Sequence, residues 1–349
     1  RARLDQLGFT LGNDTIKGTF GFDNNTGYGG VYGSLLSPAE VTNKIYYDFN
    51  PSISMGLGYT SSLISVGVGY SVTLGPRVNK YNGKADTKLV QQAAHTPVLV
   101  LNAMDNAFRM AIPIQVYVLN DKTPTGDMSI NVVSVDSQFR YYTGLDMLPQ
   151  IRLYLRYGGG NYKNETQTAK IGESFGFDFR LYFGSMVEEV ALQPYVKLVY
   201  NGALGKYHDN TRVEAVKIMN GNNGANTVPG NLQFAKSAWN LNLVAGLGLT
   251  ANSDIVSLYL EPSLGLKVNQ AGSADKNAKE TYGLGYGVYG EIYITPIKNL
   301  EWYFEAELGN LGGTATSTDS SGATTTYTFT KYGLGFNAST GITWYLPAL

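Results

Sequence analysis

The sequence predicts an all-β protein: a closed antiparallel up-and-down transmembrane β-barrel of about fourteen strands, with both termini periplasmic. Three observations carry that expectation. Apolar residues recur at every second position over long stretches, as where Leu300, Trp302, Phe304, Ala306 and Leu308 alternate with Glu301, Tyr303, Glu305, Glu307 and Gly309. Period two marks a strand with one apolar and one polar face. The polar rows carry charges and bare glycines, as at Gly283, Gly285 and Gly287, which suits a water-filled lumen better than the solvated back of a soluble sheet. Connectors alternate between short and long along the chain, the pattern of short inner turns and long outer loops in an outer membrane.

Composition agrees. Only 15% of the 349 residues are charged, which is low for a soluble domain, yet the mean hydropathy is −0.13 and no run of about 18–20 apolar residues exists to make a transmembrane helix. Tyr (26) and Gly (42) are abundant, which fits rings at a membrane–water boundary and strands that bend. A net charge of −1 gives no pull toward nucleic acid. The absence of cysteine excludes a disulfide framework or a thiolate metal site. The chain opens without a signal peptide and reads as the mature form of an exported protein.

Taken in order, residues 1–13 form a periplasmic lead-in, in which Leu4, Leu7 and Leu11 are spaced for one face of a short helix. Residues 14–349 form a single barrel domain. Its first strand, 14–22, sets Ile16, Phe20 and Phe22 against Lys17 and Thr19. Strands at 44–59 and 63–74 set Met55, Leu57, Val66 and Val68 against Gly56, Gly58, Gly67 and Gly69. A short apolar run at 96–104 leads into 108–119, where Met110, Ile112 and Ile114 oppose Arg109 and Gln115. The strands at 128–142, 150–157, 171–184 and 190–204 alternate Phe139, Leu153, Phe179 and Leu198 with Arg140, Arg152, Arg180 and Lys197. Strands at 236–251, 255–269, 281–294, 300–308 and 331–344 complete the set, with Leu243, Leu264, Val288, Phe304 and Phe336 on their apolar rows. Connectors near 60, 105, 146, 186, 253 and 297 are short; those at 23–43, 75–95, 120–127, 158–170, 205–235, 270–280 and 310–325 are mostly longer.

The candidate functional residues are the charges on the polar rows. Arg109, Arg140, Arg152, Arg156, Arg180 and Lys197 would line the pore as a basic wall, with Asp136 and Asp178 among them. Glu261, Glu291, Glu301, Glu305 and Glu307 would form an acidic wall that also holds Lys267. In a meander, sequence order is order around the wall, so the two blocks should face one another and set up a transverse field that sorts solutes by charge. The plainer alternative is that these groups pair with one another and with water. Glycines 56, 58, 67, 69, 246, 248, 283, 285, 287, 333 and 335 leave sparse inner wall. Either it makes room for an inward-folded 205–235 loop or, as favoured, it relieves crowding under neighbouring Tyr rings.

The signature of an enzyme is missing. His95 and His208 are the only histidines, and both fall in expected loops. A Ser–His or Asp–His pair stays open, because its partners are set in space. No serine elbow or phosphate loop stands out, and the Gly-x-Gly repeats precede no helix. The expectation is no catalytic residue, no metal site and no cofactor.

The opening RARLDQLGFTLGNDTIKGTFGF, residues 1–22, resembles the major variable surface proteins of intestinal spirochaetes, and mature size and Gly/Tyr-rich pattern are similar. The resemblance implies an abundant outer-membrane protein, antigenic and variable at the surface, with no enzymatic role to carry over. The chain ends in WYLPAL rather than the terminal Phe usual for many outer-membrane barrels.

The expected function is therefore a porin-like channel for passive diffusion of small hydrophilic solutes that is also a surface antigen, its loops facing the extracellular side. Two alternatives remain: a non-conducting antigen or adhesin whose barrel only displays loops, and a transporter of hydrophobic substrates, which would want an N-terminal hatch. Expected partners are outer-membrane lipid and small solutes, with host antibodies or surfaces and a second copy of the chain as further candidates, and no nucleic acid. The aromatic row from Phe175 to Phe183 would meet lipid or a protomer.

Overall fold

The computed structural model describes residues 6–24, 39–41, 44–46, 51–81, 84–123, 126–165, 168–206, 210–220, 234–310, 314–318, 324–328 and 335–344. In chain order its strands are β1 (Gln6–Gly12), β2 (Ile16–Asn24), β3 (Ala39–Val41), β4 (Lys44–Tyr46), β5 (Pro51–Thr60), β6 (Ile64–Tyr81), β7 (Lys84–Ala103), β8 (Phe108–Thr123), β9 (Gly126–Tyr142) and β10 (Gln150–Lys163). There follow β11 (Thr168–Tyr182), β12 (Ser185–Val187), β13 (Val190–Ala203), β14 (Trp239–Asn252), β15 (Val256–Gln270), β16 (Thr281–Ile297), β17 (Leu300–Gly309), β18 (Thr314–Thr318), β19 (Thr324–Thr328) and β20 (Gly335–Trp344). One short helix, α1 (Ala215–Asn220), lies between β13 and β14.

A 16-stranded antiparallel sheet runs in chain order through fifteen strands, β1-β2-β5-β6-β7-β8-β9-β10-β11-β13-β14-β15-β16-β17-β20, with β12 as the sixteenth beside β13. β12 prolongs β11 against β13 in the register that β11 already holds. β3–β4 and β18–β19 are separate two-stranded hairpins. The all-β expectation holds at this level.

Cross-strand register carries one polar face through the whole meander. Thr19 faces Gly56, Gly56 faces Gly69, Gly69 faces Val98, and Asn102 faces Arg109. Further on, Lys197 faces Arg180, Gly246 faces Ser263, and Glu305 faces both Glu291 and Ser339. Among the described residues every polar row read from the sequence falls on this one face; residues 331 and 333 of the last expected strand lie outside them. The opposite face holds the apolar rows, and they stand exposed: Leu57 is 58% exposed, Leu284 60% and Ile342 69%. An apolar surface of that extent marks contact with something other than water.

Short turns gather at one end of the sheet. Three of them share a device. At Asn13, Ser61 and Ser253 the backbone N–H donates to the carbonyl three residues on, at 2.9, 2.9 and 2.8 Å, while the side-chain oxygen accepts the N–H of Ile16, Ile64 or Val256 in return. Asn, Ser and Asp favour such turns because their short side chains replace a backbone partner. At the β7–β8 turn Met104, Asp105 and Asn106 take positive φ of 56°, 56° and 64°.

The structure departs from the sequence expectations in four places. Residues 6–12 are not a lead-in or a helix but strand β1, fully paired with β2 and stacked through Phe9 on Phe20 at 5.5 Å. The Asn13 turn makes this possible. With β1 added, Gln6 lies at the long-connection end beside Asp23 and Trp344 at the short-turn end beside Leu300, where the expectation had both chain ends on one side. The segments expected as loops at 75–95, 120–127 and 158–170 are largely strand: β6 has 18 residues, β7 20, β8 16 and β9 17. Pairing in ladders satisfies their backbone groups where loop would have to find water. Lys44–Tyr46 belongs to the β3–β4 hairpin, so the wall strand expected from 44 begins at Pro51.

Candidate functional site

The polar face is divided along its height. In the half toward the short turns, register brings Arg109, Arg140, Arg152, Arg180 and Lys197 directly opposite one another on β8, β9, β10, β11 and β13. Directly opposed residues have Cβ atoms about 4.5–5.5 Å apart, and like charges there repel. The structure treats the two ends of the row differently. On β11, Asp178 is only 2% exposed and sits among three cations: Arg180 at 2.7 Å, Arg156 at 3.7 Å and Lys197 at 3.9 Å. Arg156, two steps up β10 from Arg152 on the same face with Tyr154 between them, also reaches Asp136 at 3.2 Å. Toward β8 the carboxylates stop. Among the described residues Arg109, Arg140 and Arg152 form no ion pair.

These three are held by neutral groups instead. Arg109 donates through Nε to the Asn106 carbonyl at 3.2 Å and lies 4.8 Å from the Tyr142 ring centre. Arg152 donates through Nε to Gln150 Oε1 at 2.7 Å and lies 4.6 Å from the Tyr182 ring. With its amide turned to present oxygen, Gln138 accepts from Arg140 Nη2 at 2.7 Å. Guanidinium groups on Tyr faces keep their charge and gain cation–π attraction.

The acidic block occupies β15 to β17. Glu291 and Glu305 are directly opposed, as are Glu307 and Tyr289, and Tyr289 and Glu261. Tyrosine hydroxyls bind these carboxylates. Tyr195 donates to Glu261 Oε1 at 2.6 Å, Tyr259 donates to the other Glu261 oxygen, and Tyr289 donates to Glu291. Ser339 donates to Glu305 at 2.8 Å. Glu301 sits at the short-turn end opposite Thr343. The blocks are not remote from one another. They flank β14, and the Tyr195–Glu261 bond crosses it over Gly246, where a Cβ would strike the Tyr195 ring. The favoured reading of the lumen glycines fits here and at Gly248, under Tyr259.

In the half toward the long connections, residues 210–220 fold onto the polar face over β7 to β11. Val213 N donates to Ser174 Oγ at 2.7 Å and Ala215 N to Ser134 Oγ at 2.9 Å. Ser134 itself donates to Gln115 Oε1, which also receives Val216 N at 3.4 Å. The wall thus satisfies the free N–H groups at the start of α1, the role a capping side chain plays in the chain itself. Arg212 reaches Asp136 at 3.1 Å. Above these bonds the polar face turns apolar. Tyr117, Leu119, Ile130 and Val132 are essentially fully buried there against Val213, Ala215 and Met219. Gly158 and Gly172 make the fit possible: a Cβ on Gly158 would overlap the Val213 carbonyl, and one on Gly172 would meet the Val213 side chain. Bare backbone does admit an inward segment, but not at the glycines singled out in the sequence.

The sequence offered an inward-folded 205–235 loop only as the less favoured reading, and it did not point to the tyrosine partners. Val213, Val216 and Met219 recur at near-helical spacing inside an otherwise polar stretch, a signal that could have found it. His95 lies in β7 rather than a loop, bonded through Nδ1 to the Tyr70 hydroxyl. His208 lies outside the described residues. Among the described residues, no group of three or more His, Asp or Glu side chains could hold a metal ion.

A family model described as Serpulina hyodysenteriae variable surface protein matches residues 1–345. No curated protein matches the chain.

Proposed function

The chain belongs to the Serpulina hyodysenteriae variable surface protein family, and on that premise we propose that it is an outer-membrane β-barrel, closed between β1 and β20, that passes small hydrophilic solutes and displays its long connections to the outside. The family suggests a surface antigen and a surface location, and it is not an enzyme family. The observation that carries the channel reading is the two-faced sheet: one side keeps its charges and tyrosines together, and the other leaves its Leu, Val and Phe rows bare. Oil outside and water inside satisfy both faces at once, and closure removes the unpaired edges that a membrane does not tolerate.

In this reading the short turns lie on the periplasmic side and the tall β6–β9 ribbons rise outside. A strand needs about 9–11 residues to cross the bilayer, so the excess length of these strands stands clear of it. Residues 210–220 narrow the passage from the wall, and the Arg and Glu blocks below them bias which ions pass.

Single-channel recording of the purified chain in a planar bilayer, across a salt gradient, tests this. Discrete current steps with a defined reversal potential are expected; a silent bilayer holding folded protein overturns the channel. A second reading, display without conduction, draws on the inward segment, which would then close the passage altogether. A hydrophobic-substrate transporter gains no support, since residues 6–12 of the stretch a hatch would use are a strand of the sheet.

A further inference from the structure

We propose that Arg109, Arg140 and Arg152 form a binding site for an oxyanion of the phosphate class. Three guanidinium groups on adjacent strands are directly opposed in register. Directly opposed like charges destabilise a sheet, so the row costs stability unless something of opposite sign joins it. Further along the same row Asp178 does so for Arg180 and Lys197. At Arg109, Arg140 and Arg152 no carboxylate does so among the described residues.

The groups that hold the three are neutral, so the positive charge of the row is left uncompensated. Gln150 and the Asn106 carbonyl take the Nε of Arg152 and Arg109, and Gln138 takes Nε and Nη2 of Arg140, so each arginine is fixed by a neutral acceptor and still has terminal N–H groups to give. The Tyr142 and Tyr182 rings lie under the Arg109 and Arg152 guanidinium groups and hold them without neutralising them. Arg140 is directly opposed to both of the others, with Cβ atoms about 5 Å apart, and phosphate takes paired N–H donors from more than one arginine on its tetrahedral oxygens. A monovalent halide has no such directional acceptors and gains only from charge. The site therefore favours phosphate over chloride, beyond the difference in charge.

The inference deepens the channel reading and rests on it for access, because the row must be open to water from within the barrel. The test uses the whole chain, folded in detergent, titrated calorimetrically with inorganic phosphate in a chloride background. Saturable binding is expected. The double variant Arg140→Gln, Arg152→Gln should weaken it by about tenfold or more, and Arg152→Lys, which keeps charge but loses the fork, by a few-fold. Thermal unfolding adds a readout that a structural role would not give. Phosphate should raise the wild-type midpoint and leave the double variant unmoved. Without phosphate the double variant should unfold no earlier than wild type, since it has lost repulsion. No saturable phosphate heat from folded wild type, or equal affinity in the double variant, overturns the proposal. A double variant that unfolds earlier while binding phosphate as tightly would make the arginines structural and also overturn it. A conducting chain without phosphate binding sinks this inference alone; phosphate binding without conduction sinks the channel and leaves the site.

Discussion

Asp178 and the arginines around it show what single residues decide. With Arg156, Arg180 and Lys197 all within 4 Å and almost no solvent contact, Asp178 is the counter-ion that lets β10, β11 and β13 lie side by side. Asp178→Asn leaves three cations facing each other, and breaking a buried pair costs about 3 kcal/mol. A denaturant midpoint in detergent should fall accordingly; an unchanged midpoint would mean that water already screens the cluster. Neutralising Arg152 and Arg156 together removes two positive charges from the proposed passage and should move the reversal potential toward cation selectivity. Unchanged reversal potentials would place both outside the ion path. The sequence disclosed which face each of these residues occupies, because parity along a strand decides that. It did not disclose height. Arg109, Arg140, Arg152, Arg180 and Lys197 form one level row only because of how far each strand is shifted against the next, and that shift is set by turns and bulges several residues away.

Among elements, the 210–220 segment is the one whose removal should change most. It is fastened by Ser134, Ser174 and Asp136 and seated over Gly158. Gly158→Val puts a branched side chain where the Val213 carbonyl rests, so the segment must leave the wall. Unit conductance should rise in single-channel recordings, while the strands around it stay paired. Conductance equal to wild type would show that the segment does not lie in the path. This element was hard to read because its cohesion is tertiary. A six-residue helix has no stability of its own, and the N–H groups at its start are satisfied by side chains from strands up to 101 residues away in sequence. The strands expected as loops failed for a related reason. Polar residues in 75–95 look like loop by composition, yet a two-stranded ribbon extending from an existing sheet needs only backbone pairing to persist.

The whole molecule is a sheet with two incompatible surfaces, and alternation made that legible in the strands read from Ile16 onward, though not in β1. Closure was expected from the kind of pattern rather than from any residue, since sequence order ranks the strands and is silent on whether the last meets the first. If the bare face contacts lipid, a charge placed there is expensive. Leu264→Arg, near the middle of β15, should cost about 2–4 kcal/mol and impair assembly into vesicles, whereas Ser263→Arg on the other face should be tolerated far better. Equal assembly yields would argue against a lipid-facing row. The chain has no native cysteine, so the two faces can be probed directly. Single variants Ser263→Cys and Leu264→Cys, reconstituted in lipid vesicles, are exposed to a water-soluble maleimide, which requires thiolate in water. Rapid labelling at 263 and protection at 264 is the predicted result. Labelling at 264 as fast as at 263, or faster, would contradict a sheet with oil on one side and water on the other.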